Sequence, residues 1–243
     1  MIRVLVNGAH GRMGQEAVKA VQADAELTLV GSAGKSDDLK AMIRDTKAQV
    51  VIDFTVASVA FESASTIIAA GAHPVIGTSG LSPEQIKKLQ IQCVEKKLGG
   101  IIAPNFSIGA VLMMRYAKDA ARYYQHVEII EMHHAGKEDA PSGTAIKTAQ
   151  MIAEARAEQL PKKTIRETIP GSRGASCENI PIHAVRLPGL IAAQEVIFGA
   201  PGETLSIRET SIDRSSFMPG VCLSCKRVIT LDKLVYGLED ILD

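Results

Sequence analysis

Residues 131–145 read EMHHAGKEDAPSGTA: adjacent imidazoles at His133 and His134, an amine at Lys137, carboxyls at Glu138 and Asp139, then Pro-Ser-Gly-Thr. An imidazole and an ammonium set this close can hand a proton to a reacting carbon or take one away. Pro141 ends what precedes it, Ser142 carries the oxygen of a helix N-cap, and SGTAIKTAQMIAEA has helical spacing, with Ile146, Ala149 and Ala153 as its apolar seam. Gly143 and Thr144 then supply amides of the first turn, where a helix start receives carboxylate. Anion binding and proton donation fall in one segment.

Consecutive strand residues point to opposite faces, so His133 and His134 do not converge on one point if the strand HVEIIEMHH stays regular. Glu131 shares a face with His133, and Glu128 and Asp139 are at hand, but no HExxH or comparable ligand spacing exists, so no metal site is expected. Histidines at an exposed strand end are the plainer alternative. That alternative leaves Lys137 and the carboxylate receptor unexplained.

A second chemical feature lies near the N-terminus. GAHGRMG follows the first β-branched run and opens a helical stretch, placing Gly8, Gly11 and Gly14 at a GxxGxxG spacing. Glycines let backbone approach a pyrophosphate, and the helix start binds its charge. A tight turn without a ligand is the alternative, and the position at the first strand-to-helix turn favours a dinucleotide. An acid after the second strand would bind the adenosine ribose, yet Gly34, Lys35 and Ser36 stand there, with Arg12 in the glycine loop. A cation and a hydroxyl suit a 2′-phosphate, which predicts NADPH preference or use of both nucleotides, while Asp37 and Asp38 argue the other way. GTSG at 77–80 and APNFS at 103–107 are further turns placed to lie along a cofactor.

The elements that must position these groups change character along the chain. Up to about residue 105, short apolar runs (IRVLVNG, ELTLVGS, AQVVIDF, HPVIGTS, GGIIAPN) alternate with amphipathic stretches, the pattern of βαβ units. Ser82, Pro83 and Gln85 form a capping box ahead of a helix whose buried face is Ile86, Leu89 and Cys93. Beyond it the spacing predicts a helix over 107–124 with Ile108, Val111, Leu112 and Tyr116 inward, the strand HVEIIEMHH, the helix from Ser142, a polar loop over 161–180, and three strands: PIHAVRL, LIAAQEVIFG and ETLSIRETS. The expected fold is α/β: an N-terminal Rossmann-like dinucleotide-binding domain, residues 1–106 completed by a returning helix in 214–243, and a C-terminal α+β domain, residues 107–213, carrying an open mixed sheet.

Totals narrow the partners. Lys plus Arg and Asp plus Glu number 27 each, so the chain lacks the field of a nucleic-acid or anionic-membrane binder. No uncharged run approaches the ~20 residues of a membrane span, and MIRVLVNGAHG reaches glycine too soon for a secretory segment, so a cytoplasmic protein with a small-molecule partner is expected. Four cysteines are too few and scattered for a disulfide framework; Cys222 and Cys225 form a lone CxxC and read as buried apolar residues.

EIIEMHHAGKEDAPSGTA resembles the signature of the bacterial 4-hydroxy-tetrahydrodipicolinate reductase (dihydrodipicolinate reductase) family, and GAHGRMG, VIDFT, GTSG, PNFSIG and VRLPGLIAAQEVIFG fall in that family's order over nearly all 243 residues. The resemblance implies reduction of 4-hydroxy-tetrahydrodipicolinate with NADPH or NADH in lysine and diaminopimelate biosynthesis. It implies His133 and Lys137 as the catalytic acid/base pair, with Lys137 donating the proton, and His134, Gly143 and Thr144 as substrate contacts. Gly8, Ala9, His10, Gly11, Arg12, Met13, Gly77, Thr78, Ser79, Ala103, Pro104, Asn105 and Phe106 would line the cofactor, while at Lys35 the chain departs from the family, which has an acidic residue after the second strand. A homotetramer joined through the C-terminal sheets is implied too. A different Rossmann oxidoreductase acting on an amino or imino acid, and a non-catalytic nucleotide sensor, are the competing readings.

Overall fold

The computed structural model describes residues 1–156 and 165–242, which divide into two compact units: Met1–Ile108 with Arg214–Asp243, and Gly109–Asp213. The first unit opens with β1 (Ile2–Asn7), α1 (Arg12–Ala23), β2 (Leu27–Ala33), α2 (Leu39–Thr46), β3 (Val50–Asp53), α3 (Ala57–Ala69), β4 (His73–Ile76), α4 (Pro83–Lys96) and β5 (Gly100–Ile102). The second holds α5 (Ile108–Ala120), β6 (His126–His133), α6 (Gly143–Ala155), β7 (Ala175–Cys177), β8 (Ile180–Arg186), β9 (Ala192–Ala200) and β10 (Glu203–Ser211). The chain then returns as α7 (Met218–Val228) and β11 (Leu234–Tyr236) in the first unit.

The first sheet is six parallel strands in the order β11-β5-β4-β3-β1-β2. Val4 to Val6 and Val50 to Ile52 are fully buried, as both faces of a parallel sheet are covered, and hence their apolar runs are unbroken. Two helices that the sequence reading does not predict, α2 and α3, sit in the crossovers; parallel neighbours require such connections, while the Ala/Ser-rich ASVAFESASTIIA shows no clear seam. Chain order reverses across β1, with β2 on one side and β3 on the other, so the carboxyl ends of β1 and β3 flank a topological switch point. Ser82 and Gln85 form the expected capping box, and α4 buries Leu89 and Cys93. Helix α7 packs on α1 and β4, and burial pushes the Cys225 thiol well up, so the CxxC pair fills space as thiols.

The second unit carries a mixed sheet, β10-β9-β6-β8-β7, in which β6 and β8 are parallel and the other pairs antiparallel. Three expectations need correction here. Within the polar stretch 161–180, residues 161–164 lie outside the described residues, and 175–177 form β7 rather than loop, paired with β8. On α5 the covered face is Ala110, Val111, Met113, Met114 and Ala117, while Tyr116 is exposed, so small and flexible side chains fill the buried side. On α6 the seam is Ala145, Thr148, Ala149 and Ile152, with Ile146 turned toward solvent. Thr148 can be buried because its hydroxyl donates to the Thr144 carbonyl at 2.7 Å and accepts from Gln194 Nε2 at 2.8 Å.

Candidate functional site

In the first unit, the loop after β1 is built for close backbone approach. Gly8 adopts φ +77°, and the amides of Gly8 and Ala9 both donate to the Ala33 carbonyl at the end of β2, at 2.9 and 3.0 Å. A Cβ on Gly14 would lie 2.1 Å from the Gly8 carbonyl oxygen, so α1 crosses the loop in direct backbone contact. The N-cap of α1 is Gly11, and no side chain caps that end, which leaves the helix start to an anion. A bare cradle of this kind fits a pyrophosphate. Met13, Gly77, Thr78 and Ser79 then line a cavity of about 300 Å³ together with Phe54, Thr55, Val56 and Ala57, none of which the sequence marks as a site residue. A Cβ on Gly77 would come within 2.2 Å of the Phe54 ring and 2.8 Å of the Phe106 ring, and those two rings meet edge to face at 5.8 Å.

A buried carboxylate holds these loops together. Asp53 Oδ2 accepts from Asn7 Nδ2 at 2.7 Å, and Oδ1 accepts from the Thr55 hydroxyl at 2.7 Å and the Thr78 hydroxyl at 2.8 Å. Ends of three strands are thereby fixed to one side chain, a convergence that only the sheet order makes visible. Among the other predicted residues, Ala103 and Phe106 are buried, Pro104 is exposed, and the Asn105 side chain accepts the Ser107 amide at 2.8 Å. At the end of β2, Asp37 accepts the Gly34 amide at 2.8 Å and Asp38 caps α2 through the Ala41 amide at 3.0 Å. Both acids are thus used by the loop itself, while Lys35 and Arg12 are exposed, and the His10 ring lies beside Gly34.

In the second unit, β6 delivers Glu131 and His133 to the same face, and β8 runs alongside so that Arg186 pairs with His133 in register. Glu131 is fully buried. Its Oε1 accepts from Arg186 Nη2 at 2.8 Å and from the Ser142 amide at 3.1 Å; its Oε2 accepts from Arg186 Nη1 at 2.8 Å and meets His133 Nδ1 at 2.6 Å. Burial pushes the Glu131 carboxyl up, but the hydrogen bonds from Arg186 and His133 outweigh it and hold the group below its ordinary value. His133 is held below its ordinary value chiefly by burial, aided by the nearby charges of Lys137 and Arg186 and opposed by Glu131.

After His133 the chain turns, the Lys137 amide donating to the His134 carbonyl at 3.1 Å. Lys137 Nζ is then gripped by both Asp139 oxygens, at 2.7 and 2.9 Å, and the Asp139 carbonyl accepts from Arg186 Nη2 at 2.7 Å. The His134 side chain is exposed. Ser142 is the N-cap of α6, its Oγ accepting from the Ala145 amide at 3.2 Å, and Gly143 and Thr144 follow as the first helical residues. Lys137, His133 and the start of α6 are therefore linked through Glu131 and Arg186. Arg186 has no role assigned from the sequence, because a lone arginine in VRLPG gives no hint of its register with β6. Among the described residues no group of three or more His, Cys, Asp and Glu is placed to hold a metal ion.

Comparison with known proteins agrees with this arrangement of parts. Residues 2–106 match the family described as dihydrodipicolinate reductase, N-terminus, and residues 109–242 match dihydrodipicolinate reductase, C-terminus. The chain belongs to the dihydrodipicolinate reductase family. It is similar to the 4-hydroxy-tetrahydrodipicolinate reductases of Coxiella burnetii (strain Dugway 5J108-111), 54% identical over 241 residues, and Legionella pneumophila (strain Paris), 53% identical over 240 residues, each match covering 99% of both chains. A solved structure, dipicolinate-bound dihydrodipicolinate reductase from Paenisporosarcina sp. TG-14, aligns over 100% of both chains with a TM-score of 0.91 at 44% identity. The reductase is accordingly an NAD(P)H-dependent oxidoreductase of lysine and diaminopimelate biosynthesis, and its Rossmann-like unit is the dinucleotide-binding part.

Proposed function

We propose that the chain reduces 4-hydroxy-tetrahydrodipicolinate to tetrahydrodipicolinate, with Lys137 as proton donor, His133 as its acid/base partner, and His134, Gly143 and Thr144 as substrate contacts. The observation that carries this reading is the linked cluster at the end of β6: an ammonium, an imidazole and the start of a capped helix, joined through one buried carboxylate. The reduced nicotinamide supplies the hydride once the substrate has lost water. The anionic enamine that results must gain a proton at carbon, and Lys137 delivers it. One substrate carboxylate sits at the Gly143 and Thr144 amides, where the helix dipole favours negative charge and fixes the ring. With its pKa lowered, His133 is the neutral partner in the pair.

In this reading residues 1–106 with 214–243 bind the cofactor and residues 107–213 bind the substrate. Gly8 to Met13, Gly77 to Ser79 and Ala103 to Phe106 line the cofactor. Lys35 and Arg12, exposed at the loop ends, meet a 2′-phosphate, so NADPH is used at least as well as NADH. The protein works in the cytoplasm as a homotetramer joined through the second-unit sheets. Support for the assembly comes from β6, where Val127, Ile129 and Glu131 are buried but Glu128, Ile130 and Met132 on the opposite face are half exposed. That face carries a cavity of about 1100 Å³ with Ile130, Pro181, His183 and Ile197 in its lining, and a sheet with one uncovered face calls for a second layer.

Lys137→Ala tests the reading directly. With freshly made dihydrodipicolinate synthase product as substrate, nucleotide oxidation should fall by ~10²-fold or more in kcat while nucleotide affinity stays unchanged. Wild-type kcat would remove Lys137 from the proton-transfer step.

A further inference from the structure

Glu131 has a role that the acid/base assignment leaves open, and the inference below rests on that assignment. Its carboxylate accepts four hydrogen bonds, two from the Arg186 guanidinium, one from the Ser142 amide and one from His133 Nδ1. A carboxylate held ionised by a paired guanidinium has no proton to give, so Nδ1 must carry the hydrogen of the 2.6 Å contact. The neutral ring is then confined to one tautomer, and Nε2 is its only nitrogen able to take a proton. Through the Ser142 amide the same carboxylate fixes the residue that caps α6. Through Arg186, which also holds the Asp139 carbonyl at 2.7 Å, it fixes the residue whose carboxylate grips Lys137.

We infer that Glu131 is the positioning residue of the reaction: one buried carboxylate sets the tautomer of His133 and the placement of both the α6 start and the Asp139–Lys137 pair. A purely structural account is weaker on physical grounds. A buried ion pair is often no more stable than well-packed apolar residues of the same volume, and such residues would leave the imidazole free to rotate and change tautomer. Orientation of a histidine by a carboxylate behind it is a general way to keep the reacting nitrogen in the right state.

The wild-type protein with ¹⁵N-labelled histidine supplies the first test, with His133 assigned by its loss in His133→Gln. A pyrrole-type Nδ1 and a pyridine-type Nε2 are expected for the neutral ring; a predominant Nε2–H form would overturn the inference without any variant having to fold. Glu131→Gln should lower kcat about 10-fold or more with nucleotide KM unchanged, the scale typical of an orienting partner. Its acid limb should move to lower pH. Glu131 opposes the burial and the Lys137 and Arg186 charges that lower the His133 pKa, so its loss lets that value fall further. Added to His133→Gln, the Glu131 substitution should cost less than it does alone, because the part that acts through His133 is already lost while the parts that act through Ser142 and Arg186 remain. A Glu131→Gln enzyme with wild-type kcat and pH profile would sink the proposal. Wild-type kcat in His133→Gln would instead overturn the role of His133 on which the inference depends.

Discussion

Gly14→Ala sets two physical effects against each other with opposite signs. Gly14 is the third residue of α1, and in a helix alanine is favoured over glycine by about 1 kcal/mol, so helix propensity alone forecasts a more stable protein. The surroundings forecast the reverse. The new Cβ would sit 2.1 Å from the Gly8 carbonyl oxygen and 2.8 Å from both the Gly8 carbonyl carbon and Ala9 Cα, all backbone atoms that cannot rotate aside. Real Cβ contacts essentially never fall under 3.0 Å, so loop and helix must separate by about 0.9 Å. Overpacking of this kind costs about 1–3 kcal/mol, which after the propensity gain leaves a net loss of ~0–2 kcal/mol. Binding suffers more. An amide-to-phosphate bond of ~2.9 Å stretched by that displacement passes the limit of a hydrogen bond, and each such bond to a charged group contributes about 1.5–3 kcal/mol. NADPH and NADH should both bind about 10-fold more weakly or worse, read by nicotinamide fluorescence titration alongside urea unfolding. Gly199→Ala, where a Cβ meets nothing within 4 Å, is the matched control. Nucleotide affinity within about twofold of wild type in Gly14→Ala would refute the reasoning that the helix crosses the loop at contact distance.

Ser142→Ala removes the cap of α6 and should cost about 1 kcal/mol in urea unfolding while raising substrate KM; an unchanged KM would detach the helix start from substrate binding. Arg186→Ala leaves Glu131 buried without its counter-charge and should destabilise by about 3 kcal/mol, with equal stability to wild type counting against the ion pair. Because the folded Glu131 carboxyl lies below its ordinary value, the stability it confers is fully present above pH ~4.3 and is lost as pH falls through the folded value; unfolding free energies across that window, compared with Arg186→Ala, check the sign. Lys35→Ala should weaken NADPH about 10-fold and NADH far less, and equal losses for the two nucleotides would remove Lys35 from phosphate recognition.

The alternation of apolar runs with amphipathic stretches, the glycine loop, the capping box of α4 and the Ser142 cap of α6 are local signals, each legible because neighbours in sequence generate it. Helix seams are less legible for the same reason. Period alone points to Ile146 and Tyr116, but packing on α6 chose Thr148, whose hydroxyl finds Thr144 and Gln194, and packing on α5 chose Ala and Met. Phe54 to Ala57 stood in plain view after β3, yet nothing local marks them as the wall of a cavity shared with Gly77 to Ser79.

Residue types and short spacings determined by themselves that this chain would carry a capped helix start beside an imidazole and an amine, and a tight glycine turn opening a helix after its first strand, since glycine, serine and proline act on the backbone they belong to. Partners across long sequence separations were decided only by tertiary structure. Arg186 reaches Glu131 because β8 lies parallel to β6, and Asp53 gathers Asn7, Thr55 and Thr78 because β1, β3 and β4 are consecutive in the sheet. Strand order and register come from how whole faces are buried, and no window of neighbouring residues contains that information.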